Sequence, residues 1–135
     1  MGKKILLVDD NKHLLGLLRL NLKGQGFSIA TAANGVDAIQ KAISWVPDLV
    51  LLDLLLPGLD GFAVCETLRK HPITASTPII IMTGMSGEFS RYAGFESGGT
   101  DFMAKPVSPK ALLGKIKQLL NLDAEDAEKA ETLKP

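Results

Sequence analysis

Cysteine is nearly absent from this chain of 135 residues. Cys65 stands alone, so no intramolecular disulfide can form and no thiolate zinc site can be completed. A reducing, cytoplasmic setting is the expectation that fits. Histidine occurs twice, at His13 and His71, and neither lies in a recognisable bundle helix that would present a phosphohistidine. Net charge is absent too: 15 Lys plus Arg balance 15 Asp plus Glu. Direct nucleic-acid binding and docking on anionic membranes both call for a basic excess, so neither is expected. Long apolar runs are missing. The N-terminus "MGKKILLVDDNK" offers four apolar residues before two aspartates, where a secretory signal needs about 7–15. Nothing approaches the roughly 18–20 of a membrane span.

What remains is 46% hydrophobic and 22% charged, enough apolar surface to exclude disorder as the main state. The length suits one domain at roughly 100–200 residues each. Five short runs read as strands: Lys4–Val8, Phe27–Thr31, Leu49–Asp53, Pro78–Thr83 and Asp101–Lys105. The first, third and fourth are almost wholly apolar, as strands buried on both faces must be. The intervals hold helical patterns at Asn11–Lys23, Val36–Trp45, Phe62–Lys70, Gly87–Glu96 and Pro109–Leu120. Strands alternating with helices predict an α/β fold with helices on both sheet faces. The last helix is the best marked, with Ser108 as N-cap, Pro109 next, and a stripe of Leu112, Leu113, Ile116, Leu119 and Leu120. The fourth is the weakest, because Gly87 and Gly94 fall within it. The domain is expected to fill residues 1–122. The remainder, Asp123–Pro135, carries five acids and two lysines and reads as an acidic tail or the start of a linker.

Five polar residues mark the C-terminal ends of four strands. Asp9 and Asp10 follow the first, Asp53 ends the third, Thr83 the fourth and Lys105 the fifth. In an open parallel sheet, ligands bind at those ends. Converging carboxylates repel unless a cation joins them, and an all-oxygen set without histidine or thiol suits Mg²⁺. A lysine and a hydroxyl facing the same point can grip phosphoryl oxygens. A carboxylate among them can accept a phosphoryl group as an aspartyl phosphate. Asp53 is the expected acceptor, since its strand lies between the acidic pair and the Lys/Thr pair.

These residues resemble a response-regulator receiver domain of the CheY-like kind, the phosphoacceptor half of a two-component system. The likeness runs from about Lys4 to Leu120. It rests on "ILLVDDN", "NGVDAIQKA", "PDLVLLDLLLPGLDGF", "PIIIMTG" and "DFMAKPVSPKALL" in the family's order and approximate spacing. It implies a doubly wound, flavodoxin-like (βα)5 fold, with a five-stranded parallel sheet in order 2-1-3-4-5. It implies that Asp53 takes a phosphoryl group from a histidine kinase or a histidine phosphotransfer protein. Asp10, Asp53 and the backbone carbonyl of Leu55 would bind Mg²⁺, and Asp9 would orient a metal-bound water. Thr83 and Lys105 would contact the phosphoryl oxygens, and Phe102 would turn inward as Thr83 moves. The face made by the fourth helix, fifth strand and fifth helix would then present itself to a downstream protein target, with phosphorylation-dependent homodimerisation left open. Lys105–Pro106 matches a peptide bond usually cis in the family. Such a domain assists its own modification but turns over no substrate, so it is not expected to be an enzyme.

Gly84 stands where alanine is usual and Leu56 where methionine is frequent. Leu55 and Met85 give the site an apolar rim from which a slow loss of phosphate is expected. On the first helix Leu14, Leu18 and Leu22 form a stripe flanked by Leu15 and Leu17, while Leu20 lies off it as a candidate kinase contact. Cys65 reads as core beside Val64 and Leu68, and Trp45 as packing. Three other readings compete. A haloacid-dehalogenase-type phosphohydrolase carries D-x-D on its first strand, which "VDDNK" lacks. A flavin binder of the same topology needs a phosphate cradle absent from "DDNKH". A receiver-like module that acts without phosphorylation would keep the fold alone.

Overall fold

The structure, a computed structural model, describes residues 2–84 and 95–122. Five strands form one parallel sheet: β1 (Lys4–Val8), β2 (Ser28–Ala32), β3 (Leu49–Asp53), β4 (Ile79–Thr83) and β5 (Asp101–Ala104), in the order β2-β1-β3-β4-β5. Among the described residues there are four numbered helices: α1 (Lys12–Gly24), α2 (Gly35–Trp45), α3 (Gly61–Lys70) and α4 (Pro109–Leu119). The strand order is the expected one. The helix expected at Gly87–Glu96 falls mostly outside the described residues, as do Met85 and the acidic tail.

Side chains alternate across the pleat and build a core on each face. Leu6, Val8, Val50, Leu52, Ile79, Ile81 and Phe102 pack with Ala38 and Ala42 of α2 and with Val64, Cys65 and Leu68 of α3. Their neighbours Ile5, Leu7, Leu49, Leu51, Ile80, Met82 and Met103 pack with Leu15, Leu18 and Leu22 of α1 and with Leu112 and Ile116 of α4. β3 is buried along its whole length, which is why it reads as an unbroken apolar run closed by one carboxylate.

The starts of α1, α2 and α3 differ from the sequence expectation by a residue because caps decide them, while α4 starts at Pro109 as expected. Asn11, Asn34, Asp60 and Ser108 each stand just outside a helix and accept a backbone N–H from three residues on. Phe27 is buried but precedes β2: its N–H bonds to the Leu22 carbonyl at 3.2 Å, closing the turn after α1. Pro78 likewise precedes β4, and β5 stops at Ala104. The stripe on α1 also needs correction. Leu15, Leu18 and Leu22 are its buried residues, Leu14 is half-buried, and Leu17 faces solvent. Cys65 is fully buried and Trp45 packs against the core, both as expected. The Lys4 ammonium lies over the Trp45 ring and donates to its carbonyl oxygen at 2.6 Å.

Arg69, at the end of α3, ties two distant segments together. Its Nε donates to the Gly98 carbonyl at 2.7 Å and one Nη to the Thr77 carbonyl at 2.6 Å. The other Nη donates to the Thr100 hydroxyl at 3.2 Å. This fork fixes the entries to β4 and β5 at the edge away from the strand ends that carry the acidic residues.

Candidate functional site

Parallel strands bring their C-terminal ends to one edge, and four adjacent strands here end in polar residues. Asp9 follows β1 and is fully buried, while Asp10 beside it is exposed. Asp53 closes β3 at 2% exposure, and Thr83 closes β4 fully buried. Lys105 follows β5 and crosses the row. Its N–H bonds to the Thr83 carbonyl at 2.9 Å. Its ammonium reaches past β4 to Asp53 Oδ2 at 3.0 Å and Asp9 Oδ2 at 2.8 Å. The long, flexible stem of lysine is what allows one residue at the second neighbouring strand to hold both carboxylates.

The remaining contacts orient the acids. Asp53 Oδ1 accepts the Leu55 N–H at 3.1 Å, and Asp9 Oδ1 accepts the Asn11 N–H at 2.9 Å. The Leu55 side chain stands half-exposed at the rim. Thr83 is in register with Ala104, and Phe102 with Ile81, so the two residues of the expected switch occupy adjacent strands. Phe102 is buried against the α2/α3 side of the sheet. The Lys105–Pro106 bond is cis, as the resemblance implied.

Electrostatically the cluster is unbalanced. Burial pushes the Asp53 carboxyl above its usual range. The Leu55 N–H and the Lys105 ammonium resist this, and the Asp9 charge adds to the rise. Burial pulls the Lys105 ammonium down, but the close approach of the Asp9 and Asp53 carboxylates outweighs it, so Lys105 is held above its usual value. Three carboxylates against one ammonium leave two negative charges at the site.

Whether the residues fit a divalent cation can be tested on the carboxylates themselves. Asp9, Asp10 and Asp53 each offer an oxygen, and these oxygens all lie within 4.8 Å of one another. The fully buried Asp9 Oδ2 receives no hydrogen bond, although the Lys105 ammonium lies 2.8 Å away as its ion-pair partner. A buried carboxylate oxygen without a donor, in an all-oxygen set with two surplus charges, suits a hard cation such as Mg²⁺. The fit is good.

Two residues beside the site were passed over in the sequence. Gly35 and Gly61 are the first residues of α2 and α3, each directly after its Asn or Asp N-cap. Both press against the segment that follows Asp53. The signal was present as Asn-Gly and Asp-Gly pairs at helix starts, but these read equally well as turns.

Comparison with known proteins agrees with this fold. The family model described as "Response regulator receiver domain" matches residues 5–117. The alkaline phosphatase synthesis transcriptional regulatory protein PhoP of Bacillus subtilis is 41% identical over 120 residues, covering 89% of this chain and 49% of PhoP. The response regulator PleD of Caulobacter vibrioides is 36% identical, covering 88% of this chain and 26% of PleD. The chain thus spans half or less of these curated relatives. A putative response regulator from Chloroflexus aurantiacus superposes with a TM-score of 0.85 at 36% identity, over 90% of this chain and 99% of that one. The receiver domain of a Pseudomonas aeruginosa sensor histidine kinase, solved with a magnesium ion in its active-site cleft, superposes at 0.83 with 27% identity. That match covers 90% of this chain and 99% of the neighbour.

Proposed function

Because this chain belongs to the response regulator receiver domain family, we propose that it is a phosphorylation-operated switch in a two-component phosphorelay, with Asp53 as the phosphoacceptor. The observation that carries the reading is the Lys105 ammonium, held between Asp9 and Asp53 at 2.8 and 3.0 Å. A purely structural ion pair needs one carboxylate. This one gathers two, leaves a third within reach and sits at the mouth of the strand ends.

In the proposed reaction an Asp53 carboxylate oxygen attacks the phosphorus of a phosphohistidine on a histidine kinase or histidine phosphotransfer protein. The P–O bond forms as the P–N bond breaks, and the imidazole leaves with the bonding pair. The Leu55 N–H holds the other side of the carboxylate and fixes its direction. Lys105 neutralises charge on the phosphoryl oxygens, and the Thr83 hydroxyl contacts them. Asp10, Asp53 and the Leu55 carbonyl would hold Mg²⁺, with Asp9 acting through a water. When bound, the ion supplies positive charge that offsets both the carboxylates and the incoming phosphoryl group. The magnesium reported in the Pseudomonas neighbour's cleft supports this assignment.

The output is conformational. Thr83 moves toward the phosphoryl group while Phe102, which was expected to turn inward but is already buried here, adjusts beside it, changing the face around β5 and α4 that a downstream protein reads. The domain has no turnover substrate, and we do not class it as an enzyme. Among the described residues no helix is long and apolar enough to cross a membrane, and we place the domain in the cytoplasm.

The test is intact mass after incubation with acetyl phosphate, with and without Mg²⁺, on wild type and Asp53→Asn. A Mg²⁺-dependent gain of one phosphoryl group that vanishes in the variant is expected. No gain in a folded wild type would overturn the reading and favour a module that acts without phosphorylation.

A further inference from the structure

Among the described residues most glycines stand in open space or at turns, but Gly35 and Gly61 do neither. A methyl group on Gly61 would fall 2.5 Å from the Leu54 Cα and closer still to the Asp53 carbonyl oxygen. One on Gly35 would meet the Leu59 carbonyl oxygen at 2.5 Å, Val64 Cγ2 at 2.8 Å and the Leu59 Cβ at 3.0 Å. Both residues begin helices, and neither has the positive φ that would call for glycine on conformational grounds. What both positions require is space. By contrast Gly16 in α1 and Gly114 in α4 have no atom within 4 Å of where a methyl would stand.

The atoms these glycines touch belong to one short segment. The Leu54 N–H is tied to the Met82 carbonyl at 3.1 Å, and the Gly61 N–H to the Leu54 carbonyl at 3.0 Å. Residues 54–61 therefore form a loop closed on its own first residue, with α3 lying on the backbone of Asp53 and Leu54. The first turn of α2 presses on the far end of the same loop at Leu59. Within the loop lies Leu55, whose N–H orients the Asp53 carboxylate.

We propose that Gly61 and Gly35 are positioning residues for the Asp53 site: their missing side chains let two helices clamp the 54–60 loop, and that clamp sets the site's affinity for a divalent cation. The inference rests on the receiver reading above. A methyl at 61 must push either the Asp53 carbonyl or α3 outward by several tenths of an ångström, since carbon atoms essentially never approach within 3.0 Å without bonding. Movement of the Asp53 carbonyl displaces its carboxylate and the Leu55 backbone relative to Asp9 and Asp10, and movement of α3 releases the loop that the helix holds. A methyl at 35 pushes the loop from its other end.

The experiment compares wild type, Gly61→Ala, Gly35→Ala and Gly16→Ala as a control. Mg²⁺ affinity is measured by calorimetry and by titration of backbone amide shifts, and folding by circular dichroism. Phosphorylation by acetyl phosphate is followed against Mg²⁺ concentration, separating the half-saturating Mg²⁺ from the maximal rate. Folded Gly61→Ala and Gly35→Ala proteins should need at least tenfold more Mg²⁺, with a smaller change in maximal rate, while Gly16→Ala should match wild type. Should Gly61→Ala fail to fold, Gly35→Ala decides alone. Wild-type Mg²⁺ affinity in either folded variant overturns the inference. So does loss of folding in both, which would make the glycines supports of the whole domain. A wild type that binds Mg²⁺ and is phosphorylated keeps the receiver reading intact in either of those cases, whereas one that does neither overturns both.

Discussion

Removing the Asp53 charge should make the metal-free protein more stable, although it destroys the site. The Asp9 and Asp53 carboxylate oxygens lie within 4.8 Å, a repulsion of about 3.5 kcal/mol at an effective dielectric near 20. The Lys105 ammonium at 3.0 Å from Asp53 returns about 5.5 kcal/mol on the same scale. These two effects leave roughly 2 kcal/mol in favour of the charge, but burying an ion costs several kcal/mol. Burial is the largest influence on Asp53 and its carboxyl is held high, so the cost wins. Asp53→Asn should stabilise the domain by about 1–3 kcal/mol, because Asp9 still pairs with Lys105 at 2.8 Å. At roughly 3–6 °C per kcal/mol for a domain of this size, the rise in Tm is easily measured. The assay is thermal melting in EDTA at pH 7, repeated with Mg²⁺. At ten times its Kd, Mg²⁺ should stabilise wild type by about 1.4 kcal/mol and the variant by much less. The pH dependence has a definite sign. A carboxyl whose pKa is higher folded than unfolded contributes stability below the unfolded pKa and loses it as pH rises through the folded value. The wild-type deficit should thus be full above the folded value and close as pH falls toward about pH 4. An Asp53→Asn protein that melts below wild type in EDTA at pH 7 would refute the reasoning.

Lys105→Met leaves the fully buried Asp9 without its cation and should cost about 3–5 kcal/mol in urea unfolding; a cost under about 1 kcal/mol would count against the pair. Leu20 is 75% exposed, so Leu20→Ala should leave Tm unchanged yet slow phosphorylation by a histidine kinase without slowing acetyl phosphate. Equal effects on both donors would remove Leu20 as a kinase contact. Leu55→Asn, on a half-exposed rim position, should shorten the life of the phosphorylated form, read by the decay of its mass peak; an unchanged decay rejects the apolar-rim explanation. Cys65 is fully buried, and burial pushes its thiol up to about 11. It should react with a thiol reagent at pH 7 only after unfolding, and prompt reaction in the native protein would contradict its core position.

Much of this was legible in the sequence because the informative residues obey simple rules. β3 and β4 are buried on both faces, so they appear as "LVLLD" and "IIIMT", and their polar last residues stand out against apolar runs. Ser108–Pro109 announces α4 in the same way. Other features follow from packing between distant segments, which no local pattern records. The buried stripe of α1 has Leu15 in place of Leu14 of the expected set, since a leucine-rich helix offers several candidate stripes and the sheet selects Leu15, Leu18 and Leu22. The need for glycine at 61 depends on the carbonyl of Asp53, eight residues earlier. Arg69 joins residues 77, 98 and 100, and in sequence it is one more cation at a helix end.

The imbalance at Asp53 is what a switch of this kind needs. A site with as many cations as carboxylates would be more stable alone and would gain little from another charged group. Here one ammonium is shared by two buried carboxylates, a third carboxylate stands exposed, and one buried oxygen has no hydrogen-bond donor. Binding free energy can shift a conformational equilibrium only to the extent that the two states differ in it. Lys105 creates such a difference. It belongs to the segment leaving β5, its N–H is fixed to the end of β4, and its ammonium is committed to β1 and β3. A phosphoryl group on Asp53, as proposed, would offer that ammonium new oxygens while the strands stay in register. On the proposed reading the part that responds is the end of β4 and β5 bearing Thr83 and Phe102, with β4 lying between the Lys105 backbone and the carboxylates it reaches. On that reading the same lysine that steadies the resting site would link charge at Asp53 to the face beside α4.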